Sequence, residues 1–384
     1  MQICCTKKLY DKMKITPERD AEEPALYSWH ANLIDVYGAG QTVVLSNDKT
    51  RYTLVLAGLK QKHFKRLGEH IITALKETMR EETVKQEVVD KYLEEAGDIV
   101  YTKTRNRSLL AKMNKSCDST HFLGDSIDKN SIYQPEIAKA VSSIGVDRKE
   151  IRDANPNEDF YEKLQAIYGD TIFDTRAVEL FVSLDLEKTQ ITRRLLVHPD
   201  ISFFKLHLLL QAAYGWLGYH LHSFYVYPGD TPDKEFKKRY RPPEKRYIPI
   251  VELVNSEEEL SYENPWTKEK RMEIGNRLSD YLPAKILYVY DYGDEWHHYI
   301  EITRTIDDAK PPIPRCIDGK GNTPPEDVGS ISGYEEFIEA INDPDHPEHE
   351  SYKIWAESLN YETFDIEKVN ERIPRFVNSY FAYF

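Results

Sequence analysis

The spacing of apolar residues predicts both helices and strands along this chain. Phe64, Leu67, Ile71, Leu75 and Met79 recur at three- and four-residue steps, which is the period of an amphipathic helix. Other stretches alternate apolar and polar residues between turn-forming residues, which is typical of strands. Over residues 1–125 the pattern predicts strands at 41–46, 51–57 and 98–104 and helices near 64–79, 84–96 and 108–115. These elements predict a small α+β domain that ends near residue 125.

The C-terminal half shows the same mixture with longer strands. Asp200 or Ser202 is expected to cap a helix whose Phe204, Leu208 and Ala212 face a core. Strands are predicted at 177–186, 190–198, 219–227 and on both sides of residues 291–294, and helices at 200–216, 334–341, 349–359 and 366–372. We therefore predict a second α+β domain over residues 172–384, with a mostly antiparallel sheet packed against helices.

Residues 126–171 separate the two predicted domains and are mainly polar. The segment RDANPNEDF, residues 152–160, combines a proline with charged residues and turn formers. Segments of this composition commonly connect domains, so we predict a polar linker here. The chain length of 384 residues is also that expected of two domains.

Charge is distributed unevenly between the two halves. Lys and Arg number 20 and Asp and Glu 18 in residues 1–125, against 31 and 47 in residues 126–384. The net charge of −14 is therefore carried by the second half, which would repel a phosphate backbone. This asymmetry predicts two units with different partners: nucleic acid for the first domain and protein for the acidic second domain.

The cysteines and the apolar runs indicate the compartment. Cys4, Cys5, Cys117 and Cys316 show no paired metal-ligand spacing, and we expect them to be reduced thiols. No run of about 18 apolar residues exists, and the start lacks the apolar core of a secretory signal. We therefore expect a cytoplasmic protein with no membrane partner.

The most informative segment for chemistry is a predicted hairpin, YVYDYGDEWHHYIEI, residues 288–302. Strand alternation places His298 on the apolar face of the returning strand, and places His220 and His222 together on one face of an earlier strand. Asp291 and Asp294 lie at the turn, where Gly293 lets the chain reverse.

These five residues have two interpretations. His220, His222, Asp291, Asp294 and His298 can form a catalytic cluster, because imidazoles and carboxylates bind Zn²⁺, Mn²⁺ or Fe²⁺ and act as acid–base pairs. Alternatively the turn is a structural corner in which carboxylates cap backbone N–H groups, and the inward histidines are hydrogen-bonded core residues. The structural interpretation is favoured.

A basic segment in the first domain is a candidate phosphate or nucleic-acid site. Five cations occur in YTKTRNRSLLAKMNK without one acid, at a predicted strand–helix junction capped by Asn106 or Ser108. They are Lys103, Arg105, Arg107, Lys112 and Lys115. The alternative is a solvated basic face that pairs with the acidic second domain.

Two shorter motifs favour structural roles. His346 and His349 of HPEHE have the spacing of one helix face, but Pro347 and the flanking glutamates are typical of a helix start. In SWHAN, His30 lies between a tryptophan suited to burial and an asparagine suited to capping. The chain also lacks GxGxxG, Walker, GxSxG and HExxH motifs, which argues against common nucleotide-dependent and hydrolase classes.

The order of several segments resembles a known family. RRLLVHPDISFFKLHLLLQAAYGW, HLHSFYV, VYDYGDEWHHYIEI and PRCIDGKGNTPPEDVGSISGYEEF are similar to the plasmid pRiA4b open-reading-frame-three family over residues 172–384. The resemblance implies an association with plasmids and mobile elements, and some members carry a resolvase-like label. Thr323 occupies the position before PPED where members often have cysteine, which argues against a thiolate metal site with Cys316. Residues 1–125 resemble a second, uncharacterised prokaryotic domain.

The sequence thus supports two functions. The first, which we favour, is a cytoplasmic binding or interaction protein associated with mobile DNA. The second is a metal-dependent, hydrolase-like enzyme that uses the histidine and aspartate cluster of the second domain. A divalent metal is the cofactor that the second function requires.

Overall fold

The computed structural model describes residues 1–18, 23–104, 106–145, 155–237, 248–265, 267–359, 361 and 363–377. The chain divides into two compact units, Met1–Asp174 (unit 1) and Thr175–Phe384 (unit 2). Each unit has a hydrophobic core of its own. The two-domain α+β prediction is therefore confirmed.

Unit 1 contains a five-stranded mixed sheet within the described residues. Its strands are β1 (Gln2–Cys5), β2 (Ser28–Val36), β3 (Gly40–Asn47), β4 (Thr53–Leu56) and β5 (Val100–Lys103). The spatial order is β4-β3-β2-β1-β5, with β1 parallel to both neighbours and the other pairs antiparallel. The strand at the centre of the parallel part is β1, which is among the shortest strands of this sheet.

Helices cover both faces of this sheet. They are α1 (Lys7–Met13), α2 (Gln61–Phe64), α3 (Leu67–Glu81), α4 (Gln86–Ala96), α5 (Arg107–Phe122), α6 (Pro135–Ser143) and α7 (Pro156–Tyr168). Trp29, Tyr52 and Phe160 form the centre of the core, with the Tyr52 and Phe160 rings stacked 4.2 Å apart. The predicted third helix begins one residue earlier and ends later than expected, and Asn106 is its cap.

The predicted linker at 126–171 is corrected by the structure. This stretch contains α6 and α7, and Ile137, Val141, Phe160 and Leu164 on them are fully buried. Since these helices pack within unit 1, the first unit extends to Asp174 rather than ending near residue 125. The polar composition reflects exposed helix faces instead of a connecting segment.

Unit 2 is built on an eight-stranded sheet among the described residues. Its strands are β6 (Ala177–Leu184), β7 (Ile191–Val197), β8 (His222–Pro228), β9 (Val251–Val254), β10 (Lys270–Met272), β11 (Ala284–Tyr290), β12 (Trp296–Ile306) and β13 (Arg315–Lys320). The order is β10-β9-β8-β11-β12-β6-β7-β13, and every pair except β9 with β10 is antiparallel. This agrees with the predicted mostly antiparallel sheet.

Helix α8 (Phe203–Tyr214) packs on this sheet and is itself covered by α13 (Ile366–Val377). Ser202 is the cap, because its Oγ accepts a hydrogen bond from the Lys205 N–H at 3.3 Å. Leu208 and Ala212 are buried as predicted, whereas Phe204 is only half-buried. The remaining helices are α9 (Asp233–Phe236), α10 (Glu257–Ser261), α11 (Ser330–Asn342) and α12 (His349–Ser358).

Strands β11 and β12 form the predicted hairpin. Trp296, His298 and Ile300 are buried on the face that packs toward α8, as alternation required. Across the described residues, no helix has both the length and the apolar character needed to cross a membrane.

Candidate functional site

Three loops of unit 2 meet at one end of its sheet. They are residues 215–221 after α8, residues 291–295 in the hairpin turn and residues 323–329 before α11. The N–H of Asp291 donates to the carbonyl of Leu221 at 3.0 Å, which joins the first loop to the turn.

The third loop is fastened to the other two by polar contacts. Trp216 Nε1 donates to the Pro324 carbonyl at 2.9 Å, and the Gly329 N–H donates to Asp294 Oδ2 at 3.2 Å. The buried indole and the turn carboxylate therefore fix residues 323–329 against the first two loops.

These contacts bring one histidine and two aspartates together. His220 Nε2 lies 3.2 Å from Asp327 Oδ1 and 3.6 Å from Asp291 Oδ2. One ligand atom from each residue lies within 4.8 Å of those of the other two. The side chains of His220 and Asp291 are 25% and 13% exposed, whereas that of Asp327 is 64% exposed. The cluster is open to solvent on the Asp327 side.

Asp291 is held in place by the turn that it starts. Its φ of 56° is left-handed, and its Oδ1 accepts from the Gly293 N–H at 2.9 Å. Positive φ values in this turn occur at its two ends, Asp291 and Glu295, and not at Gly293. Asp291 Oδ2 remains directed toward His220.

One imidazole nitrogen and two carboxylate oxygens form a donor set suited to a divalent cation such as Mn²⁺ or Zn²⁺. Three protein ligands leave further coordination positions for water or for a bound molecule. The same three groups can transfer a proton between His220 and a carboxylate. His220, Asp291 and Asp327 can therefore bind a divalent cation or exchange a proton.

A cavity of about 440 Å³ lies beside the cluster. Tyr219 and Glu326, the neighbours of His220 and Asp327, are among its lining residues. Its aromatic walls are Tyr214, Trp216, Tyr219, Tyr361 and Phe364. Its charged lining residues are Arg193, Glu326, Asp365, Lys368 and Arg372.

Arg193 is a buried charged residue of this lining. Its guanidinium carbon lies 4.2 Å from the centre of the Phe364 ring and 5.0 Å from that of the Tyr214 ring. Its Nη2 donates to Thr323 Oγ1 at 3.1 Å, and burial lowers the pKa of the guanidinium. Thr323 therefore serves as a hydrogen-bond acceptor at the position that the resemblance associates with cysteine.

Glu326 connects the cavity to the sheet. Its Oε1 accepts from Tyr290 Oη at 2.6 Å and from the Leu217 N–H at 3.1 Å. Burial, followed by the Glu326 charge, raises the pKa of Tyr290, so the phenol stays protonated and donates. Glu326 is thus held by contacts to β11 and to the loop after α8.

Three predicted site residues lie outside the cluster: Asp294, whose Oδ2 accepts from the Gly329 N–H, and the buried His222 and His298. His222 Nε2 is 2.9 Å from Glu273 Oε2, with both side chains buried, and its ring stacks on that of His207 at 3.6 Å. His220 precedes β8, so strand alternation does not apply to it, and the two histidines do not share a face. His222 is therefore part of a buried pair apart from the cluster.

His298 is a core residue. Its Nδ1 is 3.1 Å from the carbonyl of Trp296, and its ring packs edge-on against Tyr214 and Trp216. Burial lowers the pKa of His298 to about 3, so it is neutral at physiological pH. A backbone partner and full burial support the structural interpretation for this histidine.

Most of unit 2 matches a known protein family. Residues 176–372 match the family described as Plasmid pRiA4b ORF-3-like protein, which is just over half of the chain. The chain belongs to this pRiA4b family. Residues 2–159 match a Domain of unknown function (DUF6933).

Two similar proteins are themselves uncharacterised. The chain is 31% identical over 188 residues to the uncharacterized protein y4hQ of Sinorhizobium fredii (strain NBRC 101917 / NGR234), covering 48% of this chain and 84% of that protein. A protein of unknown function from Methanosarcina mazei Go1, MM3350, is similar at 26% identity with a TM-score of 0.40. That alignment covers 50% of this chain and 96% of the other.

Sequence reasoning missed Asp327 and Glu326, although both lie in the PPED segment that carries the pRiA4b resemblance. Nothing in their local sequence indicates that they lie beside His220. The PPED motif was the signal available in the sequence. Its two prolines restrict the backbone, so the acidic pair that follows them is held on a rigid loop.

The basic segment of unit 1 lies at the end of β5 and along α5. Lys103, Arg107, Lys112 and Lys115 are exposed and form no ion pair within the described part of the chain. Arg105 lies outside the described residues. On α5 the three cations share the solvent face opposite buried Met113, Ser116 and Cys117.

The histidines of HPEHE have backbone partners. His349 Nδ1 lies 2.8 Å from the Ala340 carbonyl, and His346 Nδ1 accepts from the Glu348 N–H at 3.2 Å. These contacts join α11 to α12 and support the helix-start interpretation.

Proposed function

We propose that this protein is a binding protein whose unit 2 takes up a small molecule in the cavity beside His220, Asp291 and Asp327. The observation that carries the proposal is the cavity itself, whose volume of about 440 Å³ lies in the range of ligand sites. Its lining combines aromatic walls with a few charged groups at fixed positions, which is the composition of such sites.

The lining indicates the chemistry of the ligand. Aromatic side chains on several sides favour a flat ring system through stacking. The three cations of the lining, Arg193, Lys368 and Arg372, outnumber its two acids, and this net positive charge favours a ligand with a negative group. We therefore expect a small aromatic anion, such as an aromatic carboxylate or a nucleotide.

Native mass spectrometry of the full chain tests this proposal. Leu359→Trp adds bulk at a lining residue that is 43% exposed, and Ile354→Trp adds the same bulk on α12 outside the cavity. We expect the wild-type chain and Ile354→Trp to carry a small molecule that denaturation releases, and Leu359→Trp to lack it. Equal occupancy of Leu359→Trp, or no bound molecule in any of the three, would count against the proposal.

A metal-dependent enzyme is the second candidate function. The convergence of His220, Asp291 and Asp327, two of which directly neighbour cavity-lining residues in sequence, favours it. A divalent ion held there would polarise a bound group or a water molecule beside the cavity. Of the five residues that the sequence suggests for such a site, His220 and Asp291 remain, and Asp327 replaces His222, Asp294 and His298.

Nucleic-acid binding by unit 1 is supported by a separate observation. Four exposed cations without ion-pair partners in the described part of the chain lie along β5 and α5, where phosphates can reach them. An association with mobile DNA, which the family resemblance implies, would use this surface. Protein contacts would then fall to the acidic unit 2.

A further inference from the structure

A row of polar side chains crosses the sheet of unit 1 where a covered face normally carries apolar ones. Thr102, Cys4, His30, Ser46 and Thr53 occupy paired positions on β5, β1, β2, β3 and β4 in that order. None of the five is more than 4% exposed. Buried polar groups need partners, so a complete row of them requires a reason beyond packing.

Helix α5 covers this face of the sheet. Thr53 Oγ1 donates to Ser116 Oγ at 3.1 Å, and Asn32 Nδ2 approaches Cys117 Sγ at 3.9 Å. The opposite face of the same strands, which includes Trp29, forms the hydrophobic core. The polar row therefore lies in an interior layer between the sheet and α5.

His30 is the residue of the row with an unsatisfied atom. Its Nδ1 lies 2.6 Å from Asp48 Oδ1, with the two side chains 3% and 9% exposed. Its Nε2 is buried and has no hydrogen-bond partner within the described residues. The short contact places His30 Nδ1 and Asp48 Oδ1 side by side, so a cation between them would have both atoms as ligands.

Cys4 lies beside His30 on the neighbouring strand. Thr102 Oγ1 donates to Cys4 Sγ at 3.3 Å, and Gln2 Nε2 lies 3.6 Å from the same sulfur. Both contacts have the sulfur as the acceptor, which is compatible with the thiolate form that binds metal. Cys4 Sγ, a ring nitrogen of His30 and a carboxylate oxygen of Asp48 all lie within 4.8 Å of one another.

We propose that Cys4, His30 and Asp48 hold a zinc ion in the interior of unit 1. A thiolate, an imidazole and a carboxylate form a donor set that suits Zn²⁺ and is too soft for Mg²⁺ or Ca²⁺. Tetrahedral bonds of about 2.0–2.3 Å place ligand atoms about 3.3–3.7 Å apart. The ion lies between His30 Nδ1 and Asp48 Oδ1, Cys4 Sγ moves to bonding distance as the third ligand, and the fourth position is left for water.

Burial decides between metal binding and thiol catalysis at this cluster. Cys4 and His30 are 4% and 2% exposed, so an organic substrate has no path to the sulfur in this arrangement. A single ion and a water molecule require far less room. The site is in unit 1 and is independent of the cavity and of the His220 cluster in unit 2.

Cobalt substitution of the full chain tests the proposal. The chain is stripped with a chelator under reducing conditions and titrated with Co²⁺, whose thiolate complexes absorb in the near ultraviolet. The variants are Cys4→Ser and His30→Gln, and the matched control is Cys117→Ser, which changes a buried cysteine of the same layer. The unfolding temperature is measured with and without Zn²⁺.

We expect one Co²⁺ per chain with a thiolate charge-transfer band in the wild type and in Cys117→Ser, and no such band in Cys4→Ser. Zn²⁺ at about 100 times its Kd should raise the wild-type unfolding temperature by about 5–10 °C and leave that of His30→Gln unchanged. A charge-transfer band that persists in Cys4→Ser overturns the proposal. So does a wild-type chain that shows neither the band nor the zinc-dependent rise.

Discussion

His220 Nε2 and Asp327 Oδ1 lie 3.2 Å apart, although one residue follows α8 and the other follows β13. The contact exists because Trp216 and the hairpin turn fasten both loops to the same end of the sheet. Asp291 joins this pair from the turn, and the cavity lies next to it. The arrangement brings three metal-ligating groups together, and Tyr219 and Glu326, which adjoin two of them in sequence, line the cavity.

Replacing His220 with Gln or Asp327 with Asn should weaken divalent-metal binding to unit 2. Loss of one of three ligands typically lowers affinity by at least tenfold, as does loss of a group that orients a ligand. Isothermal titration with Mn²⁺ measures the effect, and His346→Gln is the control because its ring contacts only the α11–α12 region. Unchanged Mn²⁺ affinity in both variants would exclude this cluster from metal binding.

Arg107→Glu with Lys112→Glu should weaken nucleic-acid binding by unit 1 and make it less sensitive to salt. Removing one phosphate-binding cation reduces the salt slope by about one unit. Lys76→Glu with Lys91→Glu makes the same change of charge on α3 and α4 and should leave binding nearly intact. Equal decreases in affinity in the two double variants would mean that total charge, rather than the α5 surface, determines the binding.

The stability of unit 2 should fall below pH 6.5 because of His298. Burial holds its folded-state pKa at about 3, below the unfolded value near 6.5, so only the unfolded chain gains a proton in this range. The stabilisation is complete above pH 6.5 and decreases as the pH falls toward 3. At pH 5 the loss is about 2 kcal/mol.

Urea unfolding at pH 7 and pH 5 measures this loss. His207, whose pKa burial also lowers, adds a loss in the same direction. His298→Phe should reduce the difference between the two pH values by about 2 kcal/mol, while His346→Gln should leave it unchanged. A pH dependence that is identical in His298→Phe and the wild type would show that His298 is not the neutral core residue described.

A chain that ends after residue 174 should fold, and one that ends after residue 125 should not. The shorter chain lacks Phe160, Leu164 and Ile172, all fully buried in the core of unit 1. Losing one large buried side chain costs about 3–5 kcal/mol, against a total stability of about 5–15 kcal/mol. Circular dichroism during heating should show a cooperative transition for the longer chain alone. A cooperative transition in the shorter chain would restore the predicted boundary near residue 125.

Local patterns predicted the elements that have one buried and one exposed face. The apolar spacing from Leu67 to Met79 matches α3, and alternation along the hairpin correctly placed Trp296 and His298 inward. In contrast, β1 was missed because its four residues are all buried and show no alternation. The short helices α6 and α7 were hidden by their polar exposed positions.

The candidate site was harder to predict because its parts are distant in sequence. Asp291 was found through its turn, and His220 through its position near a strand end. The sequence does not indicate that Asp327 lies beside them. The loops after α8 and β13 are distant in sequence, and their contact depends on how α8, the hairpin and β13 pack together. The positive φ of the turn at Asp291 rather than at Gly293 has a local cause, because aspartate also tolerates the left-handed region.

The central claim is that unit 2 binds a small aromatic anion in the cavity beside the His220 cluster. The most direct measurement is a thermal-shift screen of aromatic carboxylates and nucleotides against the wild type, Leu359→Trp and Ile354→Trp. We expect at least one compound to raise the unfolding temperature of the wild type and Ile354→Trp and to leave that of Leu359→Trp unchanged. Compounds that stabilise Leu359→Trp as strongly as the other two, or a screen in which none stabilises the wild type, would contradict it.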